Sequence, residues 1–320
     1  MSLRARYVLH RIAQAFIVVA LTYTFVFFVL NVLPGNPIES RIHSPENPIS
    51  AKDAEVLTAY YNLDKSALEQ FWISVQRLAH GDLGYSLTSG KSVSSLLGTA
   101  IPQTASLAAL AFLVAAALAV VIAFTAVFAP SSTVRETARA VPPIFLSVPS
   151  FIVGLVLLQV FSFQLGLVSA VSDEGVKSLW LPAVALAIPV SAPIAQVLVQ
   201  GLSTAARQPY VDILRSKGLR EDRIVFGHIA KNGSIPTLTI AAITVGELLA
   251  GSVITETIFS RTGIGYLVED AVRNQDLPVI QAVVIAVSAV FVITNLVVDL
   301  VYPVIDPRIS AAPTKEAVPA

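Results

Sequence analysis

Few side chains in this sequence could do covalent chemistry. There is no cysteine. That excludes disulfides and thiolate metal sites and leaves the redox compartment open. The four histidines, His10, His43, His80 and His228, all lie outside the long apolar stretches. An intramembrane protease needs a nucleophile and a base inside those stretches, and an aspartyl dyad would need a second acid beside Asp299. Gly84, Gly90, Lys91 and Ser92 imitate a phosphate loop, but five residues separate the glycines, a longer spacer than that motif has. Asn232-Gly233-Ser234 fits a glycosylation pattern but abuts an apolar stretch, and carries no weight. The acid that stands out is Glu247, near the middle of an apolar stretch. A carboxylate there costs about 2.5–3.5 kcal/mol. It must face the bundle interior, a partner subunit or water. Two readings stand: a pathway residue meeting a substrate amine, or a protonated or hydrogen-bonded packing residue. Glu256 and Asp299 sit nearer the ends of their stretches, within reach of the interfaces, and read as structural.

The second candidate is the polar run 204–232, with apolar stretches on both sides. It carries Arg207, Arg215, Lys217, Arg220, Arg223 and Lys231 against Asp212, Glu221 and Asp222. Pro209 precedes Tyr210, Val211, Ile213 and Leu214, and Gly218 closes the group. Proline at the start and glycine at the end are helix boundary signals. The spacing predicts a short helix over 210–217 with an apolar face, set in a basic loop. Two turns of helix are marginal alone in water. The face therefore needs a surface, either a partner protein or the anionic membrane.

The elements that must position these residues are membrane spans. The chain of 320 residues is 55% hydrophobic and 13% charged, with a mean hydropathy of +0.74. A soluble domain has about 25% charged residues. A net charge of zero gives no reason to invoke nucleic acid. About 20 apolar residues cross a bilayer, and six stretches reach that scale: 12–33, 101–129, 143–165, 179–202, 235–259 and 278–303. The first resembles a signal peptide but is too long and lacks a small-residue cleavage site; it reads as a retained helix ended by Pro34-Gly35-Asn36-Pro37. Pro189 and Pro193 in one span fit either a kink lining a cavity or a packing kink.

Between spans one and two, 34–100 reads as a soluble excursion. Apolar spacing over 51–79 predicts two amphipathic helices, followed by the turn-rich Gly81-Asp82-Leu83-Gly84-Tyr85-Ser86, read as a packed loop. Lysine and arginine gather on one side: Arg4, Arg6, Arg11, Arg135, Arg139, the basic residues of 204–232, Arg308 and Lys315. The short loops opposite hold Lys177, Arg261 and Arg273. This asymmetry puts both termini in the cytoplasm and 34–100 outside.

Three groups of residues carry a resemblance. The first is Tyr210-Val211, Lys217-Gly218-Leu219, Asn232 and Pro236. The second is the turn at 81–86. The third runs from Glu256 through Gly263-Ile264-Gly265-Tyr266-Leu267 and Asp276-Leu277-Pro278 to Asn295, Asp299 and Asp306-Pro307-Arg308. Together they resemble the permease subunits of bacterial ATP-driven importers, in the dipeptide/oligopeptide/nickel branch. Asp212-Ile213-Leu214 stands where the broader signature has Glu-Ala-Ala, and Arg261-Thr262 where a Trp-Pro pair is usual.

The resemblance implies an all-α integral membrane protein with six transmembrane helices and the type I ABC importer permease fold. Its parts would be residues 1–33, the extracytoplasmic loop 34–100, a core over 101–303 and a cytoplasmic tail over 304–320. The loop 204–233 would couple to separate ATPase subunits through Tyr210, Val211, Asp212, Ile213, Leu214, Arg215, Lys217 and Gly218. It further implies a second permease, two ATPases holding ATP-Mg, an extracytoplasmic binding protein and a non-catalytic role for this chain, with no cofactor or metal of its own. Peptides are the expected solute, with a nickel chelate or another small solute as the alternative within the family. An ion-coupled secondary transporter using Glu247 is the rival outside it. Such transporters often show inverted repeats, and none is visible here.

Overall fold

The computed structural model of the protein describes residues 3–32, 51–62, 65–167 and 176–305. The expected stop at Pro34–Pro37, the first part of the 34–100 loop and the tail from 306 lie outside these residues.

Helices dominate. In chain order they are α1 (Leu3–Val32), α2 (Ala51–Tyr61), α3 (Ala67–Ala79), α4 (Val93–Phe128), α5 (Ser132–Ser147), α6 (Ser150–Leu157), α7 (Val176–Ala206), α8 (Pro209–Ser216), α9 (Glu221–Ile224), α10 (Ala230–Gly233), α11 (Ile235–Ile258), α12 (Ile264–Arg273) and α13 (Leu277–Ile305). Wider π-type turns continue α6 over Leu158–Gln164 and join α9 to α10 over Val225–Ile229. Among the described residues β-pairing is limited to an isolated bridge between Tyr85 and Ser92. α1, α4, α7, α11 and α13 are long and apolar enough to cross a membrane.

The stretch 143–165, expected as one span, is broken. α5 and the helix from Ser150 to Gln164 meet at 97°. The cause is local. Proline disfavours the helical region for the residue before it, and Val148, which precedes Pro149, is extended at φ −106°, ψ 116°. Pro142 and Pro143 thus belong to α5 and not to the start of a span. The second span also begins earlier than expected: α4 starts at Val93 and carries Pro102 inside it. Val93, Leu97 and Ala100 lie on one face and are buried, so packing holds the helix through the proline.

The chain forms two compact units. The larger, built mainly from Ser106–Phe259, is organised around α7. The apolar part of α7 is 61% buried, against 11% for that of α1. α5, α6, α10 and α11 all pack on it. Many of its buried positions are small, among them Ala183, Ala185, Ala187, Ala192 and Ala195. Helices in membranes approach closely where side chains are small. Three hydroxyls on the packed faces are satisfied within their own helices: Ser191 Oγ donates to Ile188 O at 2.7 Å, Thr244 Oγ1 to Ala241 O at 2.8 Å and Ser252 Oγ to Leu249 O at 2.8 Å.

The second unit comprises the described parts of Ala13–Ala105 together with Ser260–Val292. Val93, Leu97, Ile264, Ala271, Val279 and Val283 form its core. The amphipathic α3 predicted from spacing is present. Its first turn is closed by a capping box, with Ser66 Oγ accepting from Glu69 N–H and the Glu69 carboxylate accepting from Ser66 N–H.

Candidate functional site

The polar run after α7 folds back on the chain that carries it. Pro209 occupies the first turn of α8, where a missing N–H costs no hydrogen bond. Val211 is fully buried with Leu198, Leu202, Ala205, Ile224, Val225 and Ile229, and Tyr210, Leu214 and Leu219 pack against that cluster. Asn232 Nδ2 donates to the Tyr210 hydroxyl at 3.3 Å, tying the start of the run to its end. α8 stops as its glycine predicts. Gly218 adopts φ +78°, its N–H donates to Arg215 O at 2.9 Å, and Leu219 N–H donates to Leu214 O at 3.2 Å. These two bonds form the glycine-ended helix stop that satisfies otherwise orphaned carbonyls.

The sequence grouped Tyr210, Val211, Ile213 and Leu214 as one apolar surface for a partner. The structure divides them. An eight-residue helix is unstable unless packed, so Val211 wholly, and Tyr210 and Leu214 in part, are spent on the chain's own core. Ile213 is 55% exposed. Phe226, which the sequence did not single out, is 67% exposed and stacks its ring on Phe124 at 5.6 Å and 16°. These two are the large apolar side chains that the run presents outward. Around them several charges are paired. Arg215 lies 2.7 Å from Glu221 and 3.5 Å from Asp212, and Arg220 3.2 Å from Asp222. The hydrogen bond from Arg215 holds the exposed Glu221 carboxyl below its ordinary range. Asp212 and Lys217 are exposed.

The base of the run is a backbone crossing between glycines. A β-carbon on Gly201, near the end of α7, would sit 2.0 Å from the carbonyl oxygen of Gly233, at the end of α10. No side chain fits there, so both ends of the segment are held at one point.

A family model for the binding-protein-dependent transport system inner membrane component matches residues 118–311. The di/tripeptide transport system permease protein DppB of Pseudomonas aeruginosa is 32% identical over 88% of this chain and 92% of its own. The chain belongs to this family of inner membrane transport components. The probable peptide ABC transporter permease protein y4tP of Sinorhizobium fredii is 31% identical over 95% of this chain and 98% of its own. The glutathione transport system permease protein GsiC of Escherichia coli is 29% identical over the same shares of the two chains. The MetNI methionine ABC transporter in an inward-facing form has the same fold at a TM-score of 0.56, with 14% identity, covering 66% of this chain and 96% of that one. This permease is therefore a multi-pass protein of the inner membrane.

The structure places two of the acids that the sequence singled out in the apolar stretches of this permease. Glu247 is exposed on α11, on one face with Ile243 and Ile254, each about half exposed. Its own chain does not cover it. Glu256, expected to reach an interface, is fully buried. The side chain of Asp299 lies outside the described residues.

Two further placements in the second unit were missed. Asp276 is 2% exposed and gathers the turn after Tyr85. Ser86 Oγ donates to Asp276 Oδ2 at 2.6 Å, Leu87 N–H to Oδ1 at 3.1 Å and Thr88 N–H to Oδ2 at 3.0 Å. The turn and the Asp276-Leu277-Pro278 stretch, which separately carried the resemblance, are thus bonded to each other. Arg261 is also buried and donates to Gln103 Oε1 at 2.9 Å. Only a signal of long-range pairing could have revealed either.

Proposed function

We propose that this permease forms the membrane pathway of an ATP-driven importer for short peptides, together with a second permease. Its similarity over nearly the whole chain to proteins named as peptide, di/tripeptide and glutathione permeases supports that reading. Two separate ATPase subunits bind and hydrolyse ATP-Mg, and an extracytoplasmic binding protein delivers the peptide. This chain catalyses nothing. The run 204–233 faces the cytoplasm, as do both termini, and docks on an ATPase through Ile213 and Phe226, with Asp212, Arg215 and Lys217 at the rim. Tyr210, Val211, Leu214 and Gly218 act from behind by holding α8 in place. ATP binding moves the docked run, and the spans shift between inward- and outward-open populations.

The single observation that carries the docking reading is the pair of exposed apolar side chains on a segment whose remaining exposed surface is largely polar and charged. Buried apolar anchors dominate small interfaces, while rim charges contribute little. Ile213→Asp and Phe226→Asp should each abolish co-purification of the ATPases from the native membrane, and Arg215→Ala should leave it intact. Loss confined to Arg215→Ala contradicts the docking model. A lone chain that transports on a proton gradient contradicts the importer. Orientation is read separately: a cysteine at exposed Ser89 should react with an impermeant thiol reagent from outside, and one at Ser216 should not.

A further inference from the structure

The sequence assigns α3 to a soluble excursion, but its surroundings place it at the edge of the bilayer. Phe71 packs on α1: its ring lies 5.3 Å from that of Phe27 and is stacked on Phe28 at 5.4 Å. The Tyr23 hydroxyl donates to Ser74 Oγ at 2.5 Å. The apolar span of α1 runs over Leu9–Leu30, so these contacts fall in its last turns. A second helix marks the same level. Ile73, Ser74 and Leu78 line a cavity of about 130 Å³ with Leu277, Pro278 and Gln281, and the apolar span of α13 begins at Leu277. α3 thus lies beside the boundary where two spans leave the hydrocarbon.

One face of α3 is left open at that boundary. Leu68 is 64% exposed and Trp72 62% exposed. They sit one turn apart, and Trp72 makes an edge contact with Phe71 at 5.7 Å. The two charged side chains of α3 have partners of their own. Glu69 closes the capping box. Arg77 donates to Tyr60 O at 2.6 Å and lies 4.2 Å over the Tyr60 ring. At the level of these contacts α1 itself carries exposed apolar side chains, with Leu21 at 64% and Phe25 at 69%. Tryptophan is enriched at the headgroup level because its body is apolar and its N–H needs a polar partner.

We propose that α3 is an interfacial helix, with Leu68 and Trp72 seated in lipid at the boundary between acyl chains and headgroups. The occupant is lipid, because the face is a narrow uncharged stripe on a helix that packs against the ends of two membrane-spanning helices. Burying it adds apolar contact with the bilayer in the manner of other amphipathic interfacial helices. It also braces the cavity wall against the ends of α1 and α13.

The chain has two tryptophans, so Trp180→Phe leaves Trp72 as the sole reporter in the full-length protein. In vesicles of phosphatidylcholine brominated near the headgroup end of its chains, Trp72 should lose most of its emission relative to plain vesicles. Bromines near the terminal methyl should quench it less. Unchanged emission in both brominated vesicles, with strong quenching by aqueous acrylamide, overturns the proposal and places Trp72 in water or under a protein. Stronger quenching by the deeper bromines overturns it as well. Trp180 makes an edge contact with Phe161 at 5.5 Å; if its loss prevents folding, Trp180→Tyr with tyrosine-free excitation gives the same readout.

Discussion

Gly201 and Gly233 cross backbone to backbone. A β-carbon on the first would meet the carbonyl oxygen of the second at 2.0 Å, and one on the second would lie 2.9 Å from the carbonyl carbon and oxygen of the first. The obstacles are main-chain atoms, so no rotamer change relieves them. α7 and α10 would have to separate, and the run between them would shift. Gly201→Ala should therefore destabilise the protein by about 1–3 kcal/mol, the range for overpacking a filled site. Thermal unfolding in detergent measures this. A melting temperature equal to that of the unaltered protein would show that the crossing is loose.

Gly218 offers a different test of the same run. Nothing lies within 4 Å of a β-carbon built there, but its φ is +78°. The cost of a side chain is conformational, about 1–2 kcal/mol for most residues, and smaller for asparagine, which visits this region. Gly218→Val should lower the melting temperature more than Gly218→Asn. Equal effects would mean that the helix stop does not depend on the left-handed backbone.

Asp276 should matter more than an exposed acid. Its carboxylate accepts three hydrogen bonds from residues 86–88 while nearly fully buried. Removing a partner leaves buried donors unsatisfied, about 1–3 kcal/mol and more for charged groups. Asp276→Ala should therefore lower the melting temperature clearly, whereas Ser86→Ala, which removes one donor and leaves two, should cost less. The reverse order would put the strength of the joint in the serine.

Glu247 tests the peptide pathway. It is uncovered by its own chain, and an acid facing hydrocarbon is costly, so in the assembled importer it meets water, a partner or the substrate amine. Glu247→Gln should reduce peptide uptake by about tenfold or more, on the scale of one hydrogen bond to a charged group at about 1.5–3 kcal/mol. Assembly and basal ATP hydrolysis should persist. Unchanged uptake would make Glu247 a packing residue, and loss of assembly would place it in the interface between permeases.

Local rules account for what was legible in the sequence. Span length and apolar composition identified α1, α4, α7, α11 and α13, because the bilayer sets the length of any helix that crosses it. Pro209 and Gly218 bounded α8, because their effects on backbone torsions need no neighbour. The resemblance carried by Tyr210–Leu219 and by the last third of the chain led to the right family. Tertiary structure decided which face of each helix is used. Helical spacing groups Tyr210, Val211 and Leu214 but does not say whether they meet a partner or the ends of α4 and α7; packing gave them to the chain's own core and left Ile213 and Phe226 outside. Position along a span placed Glu256 near an interface, yet it is fully buried, because rotation about the helix axis is set by neighbouring helices. The crossing of Gly201 with Gly233 and the bonding of Asp276 to the turn at Ser86 join residues far apart in sequence. Their spacing along the chain carries no trace of such contacts, since only the packed helices bring those backbones within reach.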